Sequence, residues 1–178
     1  MSARLIHRSA ASPSRDIAEC LEGLLVYELL NPGQRLLVIS PWISDFPALD
    51  NTSGRFSAIE PSWTATFVQF SGVLRAVLQR GTSVRIACGP GATESEFVAR
   101  LERAASLDGT AESLSANRLP REHRLFSHEK AIVAETWAVY GSMNLTYSGV
   151  TMNGELITVT TDPASVSEVA TELHGLFT

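Results

Sequence analysis

Three polar pairs, His128/Lys130, Ser142/Asn144 and Asn153/Glu155, stand within residues 128–155. In each pair the partners are two residues apart, the spacing that puts side chains on the same face of a strand. Each pair also borders a strand-like apolar run. If those runs are neighbours in one sheet, six polar groups converge on one patch that suits a phosphate diester. Lys130 and Asn144 can neutralise or hydrogen-bond the non-bridging oxygens, where charge builds up during displacement. The Ser142 hydroxyl supplies another donor. His128 can attack phosphorus or move a proton, and Glu155 can hold its second ring nitrogen and set the tautomer. Each pair alone is weak: a histidine at a strand start is often structural, and Gly141 and Asn144 are turn formers. The ordered combination in one short window carries the signal.

The elements that must position these groups follow from hydrophobic periodicity. Three strand-like runs, "HEKAIVA", "TWAVYGS" and "GELITVTT", fill the last third. A closing helix, "DPASVSEVATELHGLF", follows them, with Asp162 as its cap and Pro163 in its first position. Earlier, "SRDIAECLEGLLVYELLN" has helical spacing with Ser14 as N-cap, and "RLLVIS" reads as a buried strand. "WTATFVQFSGVLRAVLQRG" reads as a second helix and "TSVRIACG" as a second strand. "TESEFVARLERAASLDG" reads as a third helix, with Thr93 as cap and Gly109 as stop. This alternation predicts an α/β layered fold, a mixed sheet flanked by helices. No repeat or linker divides the chain, so one domain over 1–178 is expected, with residues 1–13 as a flexible leader.

Composition narrows the function classes. Of the 178 residues 44% are apolar and 19% charged, which fits a globular core. No apolar run approaches the about 20 residues of a membrane span, and the N-terminal stretch lacks the apolar segment of a signal peptide, so the expected location is cytoplasmic. Cys20 and Cys88 read as packed thiols, not as a disulfide framework or metal site. The net charge of −5 argues against a protein that coats nucleic acid by bulk electrostatics. The most basic window, "NRLPREHRLFSHEK", holds Arg118, Arg121, Arg124 and Lys130 and leads directly into the first polar pair; it reads either as a solvated loop or as a nucleic-acid contact.

The runs "HEKAIVAE" and "GSMNLTYSGVTMNGEL" resemble the signature of the phospholipase D superfamily, H-x-K-x4-D followed by G-S-x-N and N-x-E. The resemblance implies a phospholipase D-like fold and a phosphodiesterase that needs no metal or other cofactor. It implies that His128 is the nucleophile forming a phosphohistidine, that Lys130 and Asn144 bind phosphate with help from Ser142, and that Glu155 orients His128. The chain departs from the signature in two ways. Glu135 stands where the signature has aspartate, an acid that looks structural in the family. Only one such motif is present, because His7, His123 and His174 have no lysine two residues on. Short members of the family solve this as homodimers with a composite site, and the same is expected here, with an isologous interface.

Trp42, in "SPWISDFPALDN", follows the first buried strand. It either rims the site and stacks a base or plugs the core. Arg124 and Asn153 are weaker substrate-binding candidates. The segment order "SPWISD…HEK…GSMN" is also similar to a phospholipase D-like protein encoded with bacterial deazaguanine DNA-modification systems. That similarity implies DNA as substrate and other defence-system proteins as partners. Three function classes therefore remain: a nuclease, a lipid phosphodiesterase, and a catalytically silent phosphate-binding subunit. The lipid class wants a membrane-facing apolar or basic amphipathic surface, whereas these helices read as core-facing.

Overall fold

Two packed layers of helix enclose a seven-stranded mixed sheet in the computed structural model, which describes residues 3–11, 14–119 and 128–177. In chain order the elements are β1 (Arg4–Arg8), α1 (Asp16–Leu30), β2 (Arg35–Ser40), β3 (Pro47–Asp50) and β4 (Phe67–Gln69). They continue with α2 (Phe70–Gln79), β5 (Ser83–Cys88), α3 (Ala92–Asp108), β6 (Leu114–Arg118) and β7 (Ala131–Val133). The last are β8 (Ala138–Gly141), α4 (Tyr147–Thr151), β9 (Glu155–Thr160) and α5 (Pro163–Glu172). The sheet order is β1-β9-β8-β7-β2-β5-β6, while β3 and β4 form a separate antiparallel pair. This is the expected α/β architecture.

β2 is the pivot. It runs parallel to β5 and antiparallel to β7. Five of its six residues are buried, because helices cover both faces of the sheet at this point. Leu36 and Val38 pack with Leu21 and Leu25 of α1, Leu74 and Val77 of α2, and Phe97 and Leu101 of α3. Leu37 and Ile39 face the other way, joining Ala131, Val133, Val166 and Ala170 under α5. Parallel strands need long connections, supplied by α2 before β5 and by α3 before β6.

Several local expectations need correction. The leader expected over 1–13 yields a strand instead: Arg4–Arg8 pairs antiparallel with β9 and buries Ile6 and Arg8 on alternate positions. The helix expected from Trp63 begins only at Phe70, because Phe67–Gln69 is drawn into pairing with Pro47–Asp50. Its cap comes from outside the element, with the Ser71 amide donating to Asp45 Oδ1 at 2.9 Å. Ser14 does not cap α1, whose N-cap position is Arg15 without a side-chain bond, and α3 starts from Gly91, which leaves Thr93 inside the first turn. By contrast, Asp162 does cap α5, accepting from the Ser165 amide at 3.0 Å, with Pro163 in the first turn. β6 was not expected. Cys88 is buried and Cys20 half-buried, both as free thiols. Among the described residues no helix is long and apolar enough to cross a membrane.

Candidate active site

Strand polarity brings the candidate residues to one edge of the sheet. β2, β5 and β6 end there, β7 begins there, and β8 ends beside the start of β9. The three expected neighbours β7, β8 and β9 are indeed adjacent, so the polar pairs at their margins lie side by side.

His128 is exposed at this edge and Lys130 is buried, only 4% exposed. The Lys130 ammonium donates to the His128 carbonyl at 2.6 Å and lies 5.9 Å from the centroid of the Trp42 ring. Trp42 also meets the His128 imidazole edge-on, with 5.8 Å between centroids. The indole thus lies against both residues of the first pair and is 39% exposed. Burial pulls the Lys130 pKa below the ordinary lysine value, while the negative charges of Glu155 and Glu129 pull it back up.

Ser142 donates its hydroxyl to the Glu155 carboxylate and accepts the Leu156 amide at 3.0 Å. Glu155 is 7% exposed at the start of β9. The bend before Ser142 depends on Gly141, whose φ of +151° is rarely adopted by a residue with a side chain. A Cβ at that position would also run into the Leu156 carbonyl. Two residues later the Asn144 Oδ1 is buried with no hydrogen-bond partner among the described residues. A buried amide oxygen without a partner is costly.

The loops that carry these groups are sewn together by Ser40, at the end of β2. Its hydroxyl donates to the Trp42 carbonyl at 2.7 Å and accepts the Leu145 amide at 3.1 Å. The Ser44 amide then donates to the Leu145 carbonyl at 3.0 Å, and Ile43 bridges Leu145. The segment after β2 and the segment after β8 therefore form one rim. Ser40 was missed in the sequence; its signal was a polar residue closing an apolar strand.

Arg8 was missed as well. It is 1% exposed, faces Glu155 in the β1–β9 register, and donates to three main-chain carbonyls, those of Gly149 (2.6 Å), Val150 and Asn153 (2.8 Å). Its pKa is lowered by burial and raised by the charge of Glu155. Asn153 is exposed and joins the site region through its backbone. Arg124 and His123 lie outside the described residues.

Glu135 sits at the opposite end of the sheet. Its Oε2 accepts the Gln34 amide at 3.0 Å, in the turn that feeds β2. The buried Glu28 shares that corner, accepting the Gly33 amide at 2.9 Å and Trp137 Nε1 at 3.2 Å. Glu135 is an anchor for a turn and takes no part in the polar edge.

A model of the family described as cardiolipin synthase, PLD-like domain, matches residues 48–177, which include every polar pair. The chain belongs to this PLD-like family.

Solved structures agree on the PLD-like fold. Nuc from Salmonella typhimurium, a phospholipase D family member, is 14% identical, with a TM-score of 0.59 over 98% of this chain and 92% of that one. NucT from Helicobacter pylori is 11% identical, with a TM-score of 0.54 over 98% and 96% of the two chains. Phosphatidylserine synthase from Haemophilus influenzae Rd KW20 is 15% identical, with a TM-score of 0.63 over 96% of this chain and 37% of its own length. At these identities the likeness is one of fold. Comparison with curated proteins gave no match.

Proposed function

We propose that this chain, as one PLD-like domain over 1–178, is a metal-independent phosphodiesterase that cleaves DNA through a phosphohistidine intermediate. The observation that carries the reading is the single polar edge: an exposed imidazole at His128, a buried ammonium at Lys130 and the Asn144 side-chain amide, with Ser142 locked to Glu155. In this mechanism a His128 ring nitrogen attacks phosphorus and the P–O bond to the leaving strand breaks. Lys130 and an Asn144 N–H hold the non-bridging oxygens as charge accumulates on them. The departing oxygen takes its proton from a second imidazole, which then deprotonates the water that splits the N–P bond.

One copy supplies one such histidine–lysine pair, so the second imidazole is His128 of a second copy in a two-fold homodimer. Trp42 offers an aromatic surface on which a base stacks. Asn153 and the basic residues ahead of His128, Arg124 among them, are assigned to the flanking strand. The narrower resemblance in the sequence supports a bacterial defence or DNA-modification setting with further protein partners, and the lack of a spanning or signal-like apolar run in the sequence supports a cytoplasmic one.

The silent-subunit reading draws support from Glu135 in place of aspartate and from the net charge of −5. Glu135 serves a turn at the far end of the sheet, which weakens the first argument. The deciding experiment is cleavage of single- and double-stranded DNA, modified and unmodified, in excess EDTA, with wild-type and His128→Ala protein side by side. Cleavage that survives EDTA and disappears in the variant supports the mechanism. Full activity of His128→Ala overturns it. Absence of cleavage by folded, dimeric wild-type protein favours the silent subunit.

A further inference from the structure

Arg8 lies 145 positions before Asn153 in the chain, yet it is bonded to both turns that shape the candidate site. The guanidinium holds the Gly149 and Val150 carbonyls in α4, a single turn with no later helix to satisfy them. It also holds the Asn153 carbonyl, two residues before Glu155.

The first turn backs Asn144. Gly149 packs so closely on the Asn144 main chain that any Cβ would collide with its carbonyl. A shift of Gly149 is therefore transmitted to Asn144 directly. The second turn delivers Glu155 to the Ser142 hydroxyl, and Arg8 lies across from Glu155 in the strand register. A planar fork of five N–H donors can serve three carbonyls at once, whereas a lysine ammonium is a single point with a different geometry.

We infer that Arg8 is a positioning residue for the phosphodiester reaction, fixing Asn144 and Glu155 through the turns at 149–153, and that β1 is thereby a working part of the site. The inference rests on the phosphodiesterase reading for its kinetic consequences and on the hydrogen-bond geometry alone for its structural ones. Those consequences are separable.

The test compares wild type, Arg8→Ala and Arg8→Lys in the DNA cleavage assay and in amide hydrogen exchange over residues 144–156. Misplacing reacting groups by about 1 Å costs on the order of 100-fold, so kcat of Arg8→Ala is expected to fall by about that factor with KM nearly unchanged. Millimolar guanidinium chloride, matched against sodium chloride, is expected to restore turnover and exchange protection together by refilling the vacated slot. Arg8→Lys keeps the charge and guards against a failure of the alanine variant to fold; it is expected to lose turnover to a similar degree without rescue.

Wild-type turnover in both variants overturns the inference. So does unchanged exchange over 144–156, a readout that needs no turnover. If wild-type protein cleaves nothing, the phosphodiesterase reading fails while the exchange data still decide the role of Arg8.

Discussion

Ser142 gives its hydroxyl proton to Glu155 while taking the amide of Leu156, so one small side chain ties the end of β8 to the start of β9. The pairing differs from the expected partnership of Glu155 with His128. It makes the carboxylate a fixed wall beside Lys130 and leaves the Ser142 hydroxyl committed within the protein. The negative charge that favours the Lys130 ammonium therefore depends on where this hydroxyl holds it.

Lys130 should weaken the fold that carries it. Burial lowers its pKa, so between that lowered value and the ordinary 10.5 the unfolded chain binds more protons than the native one, and stability rises with pH. Lys130→Met is expected to abolish cleavage, to gain about 1 kcal/mol or 2–4 °C in Tm at neutral pH, and to lose that slope. Urea titrations at neutral and alkaline pH check it. A less stable Met variant with the slope intact contradicts the account.

Gly141→Ala should act on stability and chemistry together. The alanine must adopt φ near +151° and clear the Leu156 carbonyl, a cost of about 2–3 kcal/mol. Relief of that strain moves Ser142 away from Glu155. Thermal unfolding and turnover measured on one preparation should fall in parallel.

Glu135→Ala should separate the two. It strips the acceptor from the Gln34 amide, far from the polar edge, and is expected to cost about 1 kcal/mol. Cleavage per folded molecule should stay within about twofold of wild type, read as kcat/KM. A loss of more than tenfold in a folded variant would instead place Glu135 among the reacting groups.

The proposed two-copy site predicts that activity depends on concentration. Specific activity should fall as protein is diluted through the dimer dissociation range, and crosslinked dimers should resist the fall. Constant specific activity in a species shown to be monomeric by light scattering would sink the two-copy site.

Much of this was legible in the sequence because the informative segments are local. The runs that became β2, β5, β7, β8 and β9 are short, apolar and bounded by turn residues, and Asp162-Pro163 announces α5 by chemistry alone. The site pairs showed themselves through strand alternation. β1 was obscured because three of its five residues are charged or histidine and its pairing partner lies near the other end of the chain. Only the alternation of Ile6 and Arg8 hinted at a buried face. The start of α2 was obscured because the pull on Phe67–Gln69 comes from β3, a tertiary partner that a local window does not contain.

The pairing of β1 with β9 also sets a timetable. Arg8 is made well before Asn153 and Glu155, which meet it in the fold and follow the intervening helices and strands. Domains fold as units during synthesis, and contacts this distant in sequence close late. A nascent chain thus displays His128 and Lys130 before the wall that completes their surroundings exists. The polar edge is completed only with the last strand of the sheet to be made, so under the proposed function an unfinished polypeptide is expected to lack cleavage activity.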